Sequence, residues 1–321
     1  MSLSSWLGGT KAKPFSRYGG LWIDLSNFNE SVAKRQKKGK LTPEEADQVR
    51  FFADKGYLIL PQAVDPSMCD RFSNDITAAF ERGDERLLIQ RPGESTGKPL
   101  TPDAPRVQAR VVDSYVYYDS ALELLLSEKI SHFLRIIFED APLLFQSLSF
   151  YNGSEQGLHQ DTAYVVVSSP LELSASWIAL EDIQEGSGEL MYIPGSHRLP
   201  EYHFSGKYKH WSAERDGSEQ HDEWSRLLRE EAEERGYPVE IFRPKKGDAL
   251  IWAADLVHGG SDVRDRSLTR KSLVGHYCPN RIDPHYFANL PERRAKGLYR
   301  NGYYSSSYYA IGEKAISAGA R

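Results

Sequence analysis

Hydrophobic and polar positions follow a helical period in the first part of the 321-residue chain and a strand-like period in the second. Thr42-Pro43-Glu44-Glu45 joins a cap residue, a proline at the first helical position and a glutamate at the third, and Gly56 stops the segment, which predicts a helix between them. "YLILP" then reads as a short strand, and Ser67 to Arg82 as a second helix. Val107 to Tyr118 has strand composition. Ala121 to Phe138 carries Leu122, Leu125, Leu126, Ile130, Phe133, Leu134 and Ile137 at helical spacing and is predicted as one helix. From Leu143 onward short strand-like segments dominate: "LLFQSLSFY", "AYVVVSS", "SASWIAL", "ELMYIP", "VEIF", "DALIWAA" and "KSLVGHY", separated by Gly, Pro, Asp and Ser.

Helices followed by many short strands imply a mainly β fold with flanking helices, in which the helices buttress a two-sheet barrel or jelly roll. The whole chain reads as one domain. Residues 1–41 form an irregular arm, 42–142 a helical buttress with early strands, 143–290 the β core and 291–321 a C-terminal extension. The strand rhythm lapses between Leu199 and Tyr237, so 199–237 is a charged insertion. Its helix "WSRLLREEAEER" would dock through Trp224, Leu227 and Leu228. The basic run Lys34 to Lys40 reads as a solvated loop, and "GYYSSSYYAI" near the C-terminus as packing against the barrel wall.

Composition narrows the function. With a net charge of -5 the chain lacks the basic excess of a nucleic-acid binder. No apolar run reaches the length of a spanning helix and the N-terminus lacks an apolar signal core, so no membrane partner and a cytoplasmic location are expected. Cys69 and Cys278 are too few for a disulfide framework or a thiolate metal cluster and read as free thiols. Aromatic residues make up 12%, which suits strands and apolar pockets.

The chemistry centres on "GLHQDTAY" at 157–164. On an extended segment His159 and Asp161 point to one face, as a metal pair would, although two such residues co-occur in many chains by chance. "KKGDALIWAADLVHGGS" adds weight, because a Gly-Asp turn leads into an apolar strand that delivers His258 at its far end. Two imidazoles and one carboxylate make the facial triad of non-haem Fe(II) oxygenases, and zinc accepts the same set. In "TRKSLVGHY", Arg270 opens a strand with Ser272 on the same face. A guanidinium pairs bidentately with a carboxylate and a nearby hydroxyl donates to the same group, which suits the distal carboxylate of 2-oxoglutarate; a zinc hydrolase has no need of it.

The segments "HQD" (159–161), "SWIALED" (176–182), "GSGELMYIPGSHR" (186–198), "GDALIWAADLVHGGS" (247–261) and "RKSLVGHY" (270–277) together resemble the phytanoyl-CoA dioxygenase family of Fe(II)/2-oxoglutarate oxygenases. The resemblance covers roughly the C-terminal half. It implies a double-stranded β-helix core of jelly-roll, cupin-like type, with Fe(II), 2-oxoglutarate and O2 as cofactor and cosubstrates. It also implies metal ligands at His159, Asp161 and His258, a cosubstrate arginine at Arg270, and Trp177 lining the cosubstrate pocket. The spacing from His258 to Arg270 is one residue longer than is usual in the family, which leaves Arg266 as the alternative. Related halogenases replace the carboxylate ligand by a small residue, so Asp161 speaks against halogenation.

These features together imply a dioxygenase that hydroxylates a small organic substrate and releases succinate and CO2; oligomeric state and substrate identity stay open. Gln146, Tyr164, Gln108 and Arg110 are candidate substrate residues, with a surface ion pair an equal explanation for Arg110. His276 shares a face with Arg270 and reads as a buried, hydrogen-bonded histidine, while His197, His203, His210 and His221 read as surface residues. The insertion, placed after "PGSHR", is a candidate lid. A non-catalytic jelly-roll binding protein and a metal-dependent hydrolase are the rival readings.

Overall fold

The computed structural model describes residues 12–312 apart from 92, 93, 95 and 108. Gln108 therefore lies outside the described residues. The N-terminal half contains α1 (Phe28–Lys37), α2 (Pro43–Lys55), β1 (Tyr57–Leu60), α3 (Pro66–Arg82), β2 (Leu88–Gln90), β3 (Lys98–Pro99), β4 (Arg110–Val112), α4 (Asp119–Leu125) and α5 (Glu128–Phe138). The remainder holds β5 (Pro142–Phe150), β6 (Ser174–Ala179), β7 (Leu190–Tyr192), α6 (Ala213–Glu234), β8 (Glu240–Phe242), β9 (Ala249–Ala253), β10 (His258–Gly260) and β11 (Ser272–Pro279). It ends with α7 (Tyr286–Asn289), β12 (Gly297–Tyr299) and β13 (Gly302–Tyr304).

Ten strands form one large sheet in the order β1-β9-β6-β11-β5-β4-β2-β3, with β13 added parallel to β5 and β12 paired to β13. A second sheet, β10-β7-β8, lies against it. Strand alternation divides the core. One face of the large sheet presents Trp177, Leu250, Trp252 and Val274, with Leu148 and Phe150, to Leu190, Tyr192 and Phe242 of the small sheet. The opposite face presents Ile178, Ile251 and Leu273 to the helices, where Phe52, Phe72, Phe133 and Leu134 are buried. This two-layer arrangement with helices on one side is a jelly roll.

Several expectations change. α2 begins as the sequence predicts, with the Thr42 hydroxyl accepting from the Glu45 amide at 3.1 Å and the Glu45 carboxylate accepting from the Thr42 amide at 2.7 Å; Gly56 closes it at φ 79. The described part of the arm, from residue 12, is not wholly irregular: α1 buries Val32 completely, and the Trp22 indole donates to the Ile136 carbonyl at 3.0 Å. Half of the basic run is the last turn of α1, where cations meet the free carbonyl end of a helix. The stretch predicted as one helix over 121–138 is two, because Ser127 is extended (ψ 154) and restarts the chain direction. Among the described residues, strand composition over 107–118 yields β4 and a 3-10 turn at Ser114–Val116 rather than one continuous strand. "AYVVVSS" forms no strand either. The Val165 amide donates to the Asp161 carbonyl at 2.7 Å, which turns the chain, and Val167 makes only a single bridge to Pro284.

The insertion contains α6, broken at Gly217 (φ 66), and Trp224 and Leu228 dock it while Leu227 is half-buried. Near the C-terminus, β13, Tyr304 and Tyr309 pack against the barrel wall. No helix among the described residues is long and apolar enough to cross a membrane.

Candidate metal centre

His159 and His258 face each other in an antiparallel bridge, each donating its amide to the other's carbonyl at 2.9 and 3.0 Å. The backbone thus brings the two rings to 4.4 Å between centroids before any ligand acts. Asp161 follows His159 not on a strand but at the start of a 3-10 turn, Asp161–Ala163, which folds its carboxylate back toward the bridge. One donor atom from each of the three residues lies within 4.8 Å of the others, and all three residues are buried. Asp161 Oδ1 is 3.6 Å from His258 Nε2 and 3.9 Å from His159 Nε2.

Hydrogen bonds fix the ring tautomers. His159 Nδ1 lies 2.8 Å from the Gly157 carbonyl and His258 Nδ1 2.9 Å from the Leu256 carbonyl. Carbonyls only accept, so both Nδ1 atoms carry hydrogen and each Nε2, turned toward Asp161, is the nitrogen left to bind a metal, the arrangement that metal-binding histidines use. Burial, reinforced by the neighbouring His258, pushes His159 down to about 3, so its ring is neutral. Burial opposes ionisation of Asp161, but His258 and His276 more than offset it and hold the carboxyl well below the usual range. The glycines after His258 allow its strand to pass against 154–157: a Cβ on Gly259 would stand 2.8 Å from the Gln156 carbonyl oxygen. What approaches at "HGG" is the chain's own ligand-bearing segment.

Two groups around this cluster escaped the sequence reading, and a third departs from it. The Trp252 indole donates to Asp161 Oδ2 at 2.7 Å, and the strand pattern around "IWAA" marked it only as core. The Gln156 amide lies 3.3 Å from His159 Nε2. His276 is buried as expected but not satisfied: Nε2 is 3.6 Å from Asp161 Oδ2, and Nδ1 has no hydrogen-bond partner among the described residues.

Further along the same inner face, Arg270 is 3% exposed and donates to the Ser272 hydroxyl at 2.7 Å. Its Cζ stands 5.5 Å from the ring centre of Trp177 and 5.3 Å from that of Phe150. Burial lowers Arg270 to about 10, against the more distant Glu181 and Glu189, so it stays charged at neutral pH. Among the described residues no carboxylate pairs with it, and its Nε is buried without a partner. A buried cation with an idle donor fits an incoming carboxylate. Arg266, the alternative, is 66% exposed and faces Glu155.

Three of the four substrate candidates fall among the described residues. Gln146 pairs with His276 across β5 and β11 and so shares its face. Arg110 pairs with Phe150, two strands from Ser272, and meets Gln90 at 3.4 Å. Among the described residues it forms no ion pair, which removes the surface-pair explanation. Tyr164 is 42% exposed, with its ring 5.7 Å from that of His159. Its hydroxyl is 2.6 Å from His221 Nε2. Of the histidines read as surface residues, His197 is buried instead, its Nε2 donating to the Ala53 carbonyl at 3.1 Å; burial drives it down to about 4. Both cysteines are free and buried.

The fold and the buried His-Asp-His cluster define a jelly-roll protein built to hold a metal ion. The sequence matches the family model "Phytanoyl-CoA dioxygenase (PhyH)" over residues 52–272, and the chain belongs to that family. Its fold is similar to that of the epimerase SnoN from nogalamycin biosynthesis, solved with Fe3+, alpha ketoglutarate and nogalamycin RO (16% identity, TM-score 0.58, 82% of this chain and 98% of that one). It is also similar to the carbocyclase SnoK from nogalamycin biosynthesis (18%, TM-score 0.53, 75% and 85%). A further similar fold is EctD from S. alaskensis, solved with 2-oxoglutarate and 5-hydroxyectoine (16%, TM-score 0.52, 74% and 76%). No curated protein sequence matches the chain.

Proposed function

We propose that the protein is an Fe(II)- and 2-oxoglutarate-dependent dioxygenase that hydroxylates an unactivated C–H bond of a small organic substrate. The observation that carries this reading is the conjunction of the buried His159–Asp161–His258 cluster with an unneutralised guanidinium on the same inner face. Zinc would take the same three ligands, but a hydrolase leaves the buried Arg270 charge without a purpose.

His159, Asp161 and His258 would hold the metal, each imidazole through Nε2, with the carboxylate supplying the negative charge. When bound there, iron and the oxoacid would supply the oxygen activation, with succinate and CO2 as coproducts. Arg270 and Ser272, which lie within hydrogen-bond distance of each other, would receive the distal carboxylate of 2-oxoglutarate by two charge-assisted donors. Trp177 and Val274, with the partly buried Leu148 and Phe150, would shield the bound oxoacid from water. Gln146, Tyr164, Gln108 and Arg110 are proposed to orient the substrate.

The test is succinate formation from 2-oxoglutarate under air with added Fe(II), with candidate substrates screened for a product that has gained one oxygen atom. Succinate formation that depends on iron and is lost in Asp161→Ala supports the dioxygenase. Substrate conversion without oxygen gain would replace hydroxylation by another oxidative outcome. Iron-independent hydrolysis would overturn the reading.

A further inference from the structure

The insertion 199–237 packs on two sides against the segments that carry the metal-binding residues. Toward the open side, His221 of α6 meets the Tyr164 hydroxyl. On the buried side, Leu199, Phe204, Trp224 and Leu228 pack with Leu158 and Val257, the residues immediately before His159 and His258. A buried ion pair also joins the insertion to the segment before His258. Lys209 Nζ stands 2.6 Å from Asp255 Oδ2, with the side chains only 4% and 9% exposed.

Asp255 occupies the turn between β9 and β10, on the segment that ends in His258. Its other carboxylate oxygen accepts from the Thr162 hydroxyl, and its main-chain carbonyl accepts from the Gln160 amide at 2.9 Å. Gln160 and Thr162 are the two neighbours of Asp161. One residue therefore ties both flanks of the carboxylate donor to the approach of the second histidine, and Lys209 supplies its counter-charge.

We propose that Lys209 and Asp255 are positioning residues of the metal centre, so that the insertion is part of the frame holding the three donors. This rests on the metal-binding reading above. A cover that swings free would have to separate a buried ion pair and strand both charges, whereas the Tyr164–His221 contact at the open side breaks at little cost. Among the described residues Lys209 is the cation within ion-pair distance of Asp255. Without it, the Asp255 carboxylate is left buried and unpaired and turns toward water, which releases Thr162. Asp161 then loses its alignment with His258. Changes to groups that orient metal ligands typically weaken metal binding by about 10- to 100-fold.

A pair that merely stabilises the fold makes a different prediction, namely a lower melting temperature with metal affinity intact. The decisive experiment titrates the metal-free protein with Co(II), read by its visible absorption, alongside thermal melting of the same samples. Lys209→Met is expected to bind Co(II) about 10- to 100-fold more weakly than wild type, and Lys209→Arg to recover most of that loss. The double variant Lys209→Met/Asp255→Ala removes both charges and so avoids an unpaired buried ion, which keeps the test open if the single variant does not fold. It too is expected to bind 10- to 100-fold more weakly, because Thr162 has lost its acceptor. Wild-type Co(II) affinity in either variant overturns the inference, whatever happens to the melting temperature. Absence of Co(II) binding in wild type would instead overturn the metal-binding reading itself.

Discussion

Replacing Trp252 by Phe removes a single hydrogen bond from the metal centre. The indole donates to Asp161 Oδ2 at 2.7 Å while Oδ1 faces both imidazoles, so this donor holds the carboxylate edge-on to the cluster. Trp252 is 2% exposed, so water cannot take the donor's place. Hydrogen bonds to charged groups contribute about 1.5–3 kcal/mol, which at 1.4 kcal/mol per decade corresponds to about 10- to 150-fold in metal affinity if the loss falls on ligand orientation. The smaller ring also vacates space beside His258, 4.6 Å away between centroids, at a separate cost of about 1–3 kcal/mol in fold stability. Co(II) titration reads the first effect and thermal melting the second. A variant that melts lower yet binds Co(II) as tightly as wild type would refute the claim that the indole orients Asp161.

Arg270→Ala is expected to weaken 2-oxoglutarate binding at least about 100-fold in calorimetry while leaving Co(II) binding within a few-fold, and Arg270→Lys to recover only part, because an ammonium cannot reproduce a bidentate fork. Gly259→Ala drives a Cβ to 2.8 Å from the Gln156 carbonyl oxygen, so chemical denaturation is expected to show a loss of about 1–3 kcal/mol, together with weaker metal binding as the 154–157 segment shifts. Burial raises Asp113 from 3.8 to about 7, against donors from the Ser147 amide and Ser306 hydroxyl. The folded state therefore binds the proton more tightly than the unfolded one, and stability falls as pH rises from about 4 through 7, by about 4 kcal/mol at most. Asp113→Asn keeps an acceptor for Ser147 and a polar group for Ser306, and denaturation curves across that range are expected to flatten.

The chemistry was legible in the sequence because it is carried by residues whose types are costly to bury without a purpose. His159, Asp161, His258 and Arg270 sit in apolar strand and turn contexts, and their burial follows from those contexts. The fold class followed from the shift between helical and strand periods. What escaped was whatever depends on partners remote in the chain. Val165 to Val167 has strand composition but no neighbouring strand, so it turns instead. Trp252 reads as core from its own strand, and only the return of Asp161 beside it makes it a hydrogen-bond donor. Lys209 lies in a polar stretch that suggests solvent, and its burial depends on Asp255 across the fold.

The most direct measurement is the absorption spectrum of the protein under anaerobic conditions as Fe(II) and then 2-oxoglutarate are added. A His-Asp-His metal centre with Arg270 holding the oxoacid predicts a weak visible charge-transfer band that requires both additions and disappears in Asp161→Ala and Arg270→Ala. A spectrum unchanged by 2-oxoglutarate in protein that has bound Fe(II) would contradict the dioxygenase assignment.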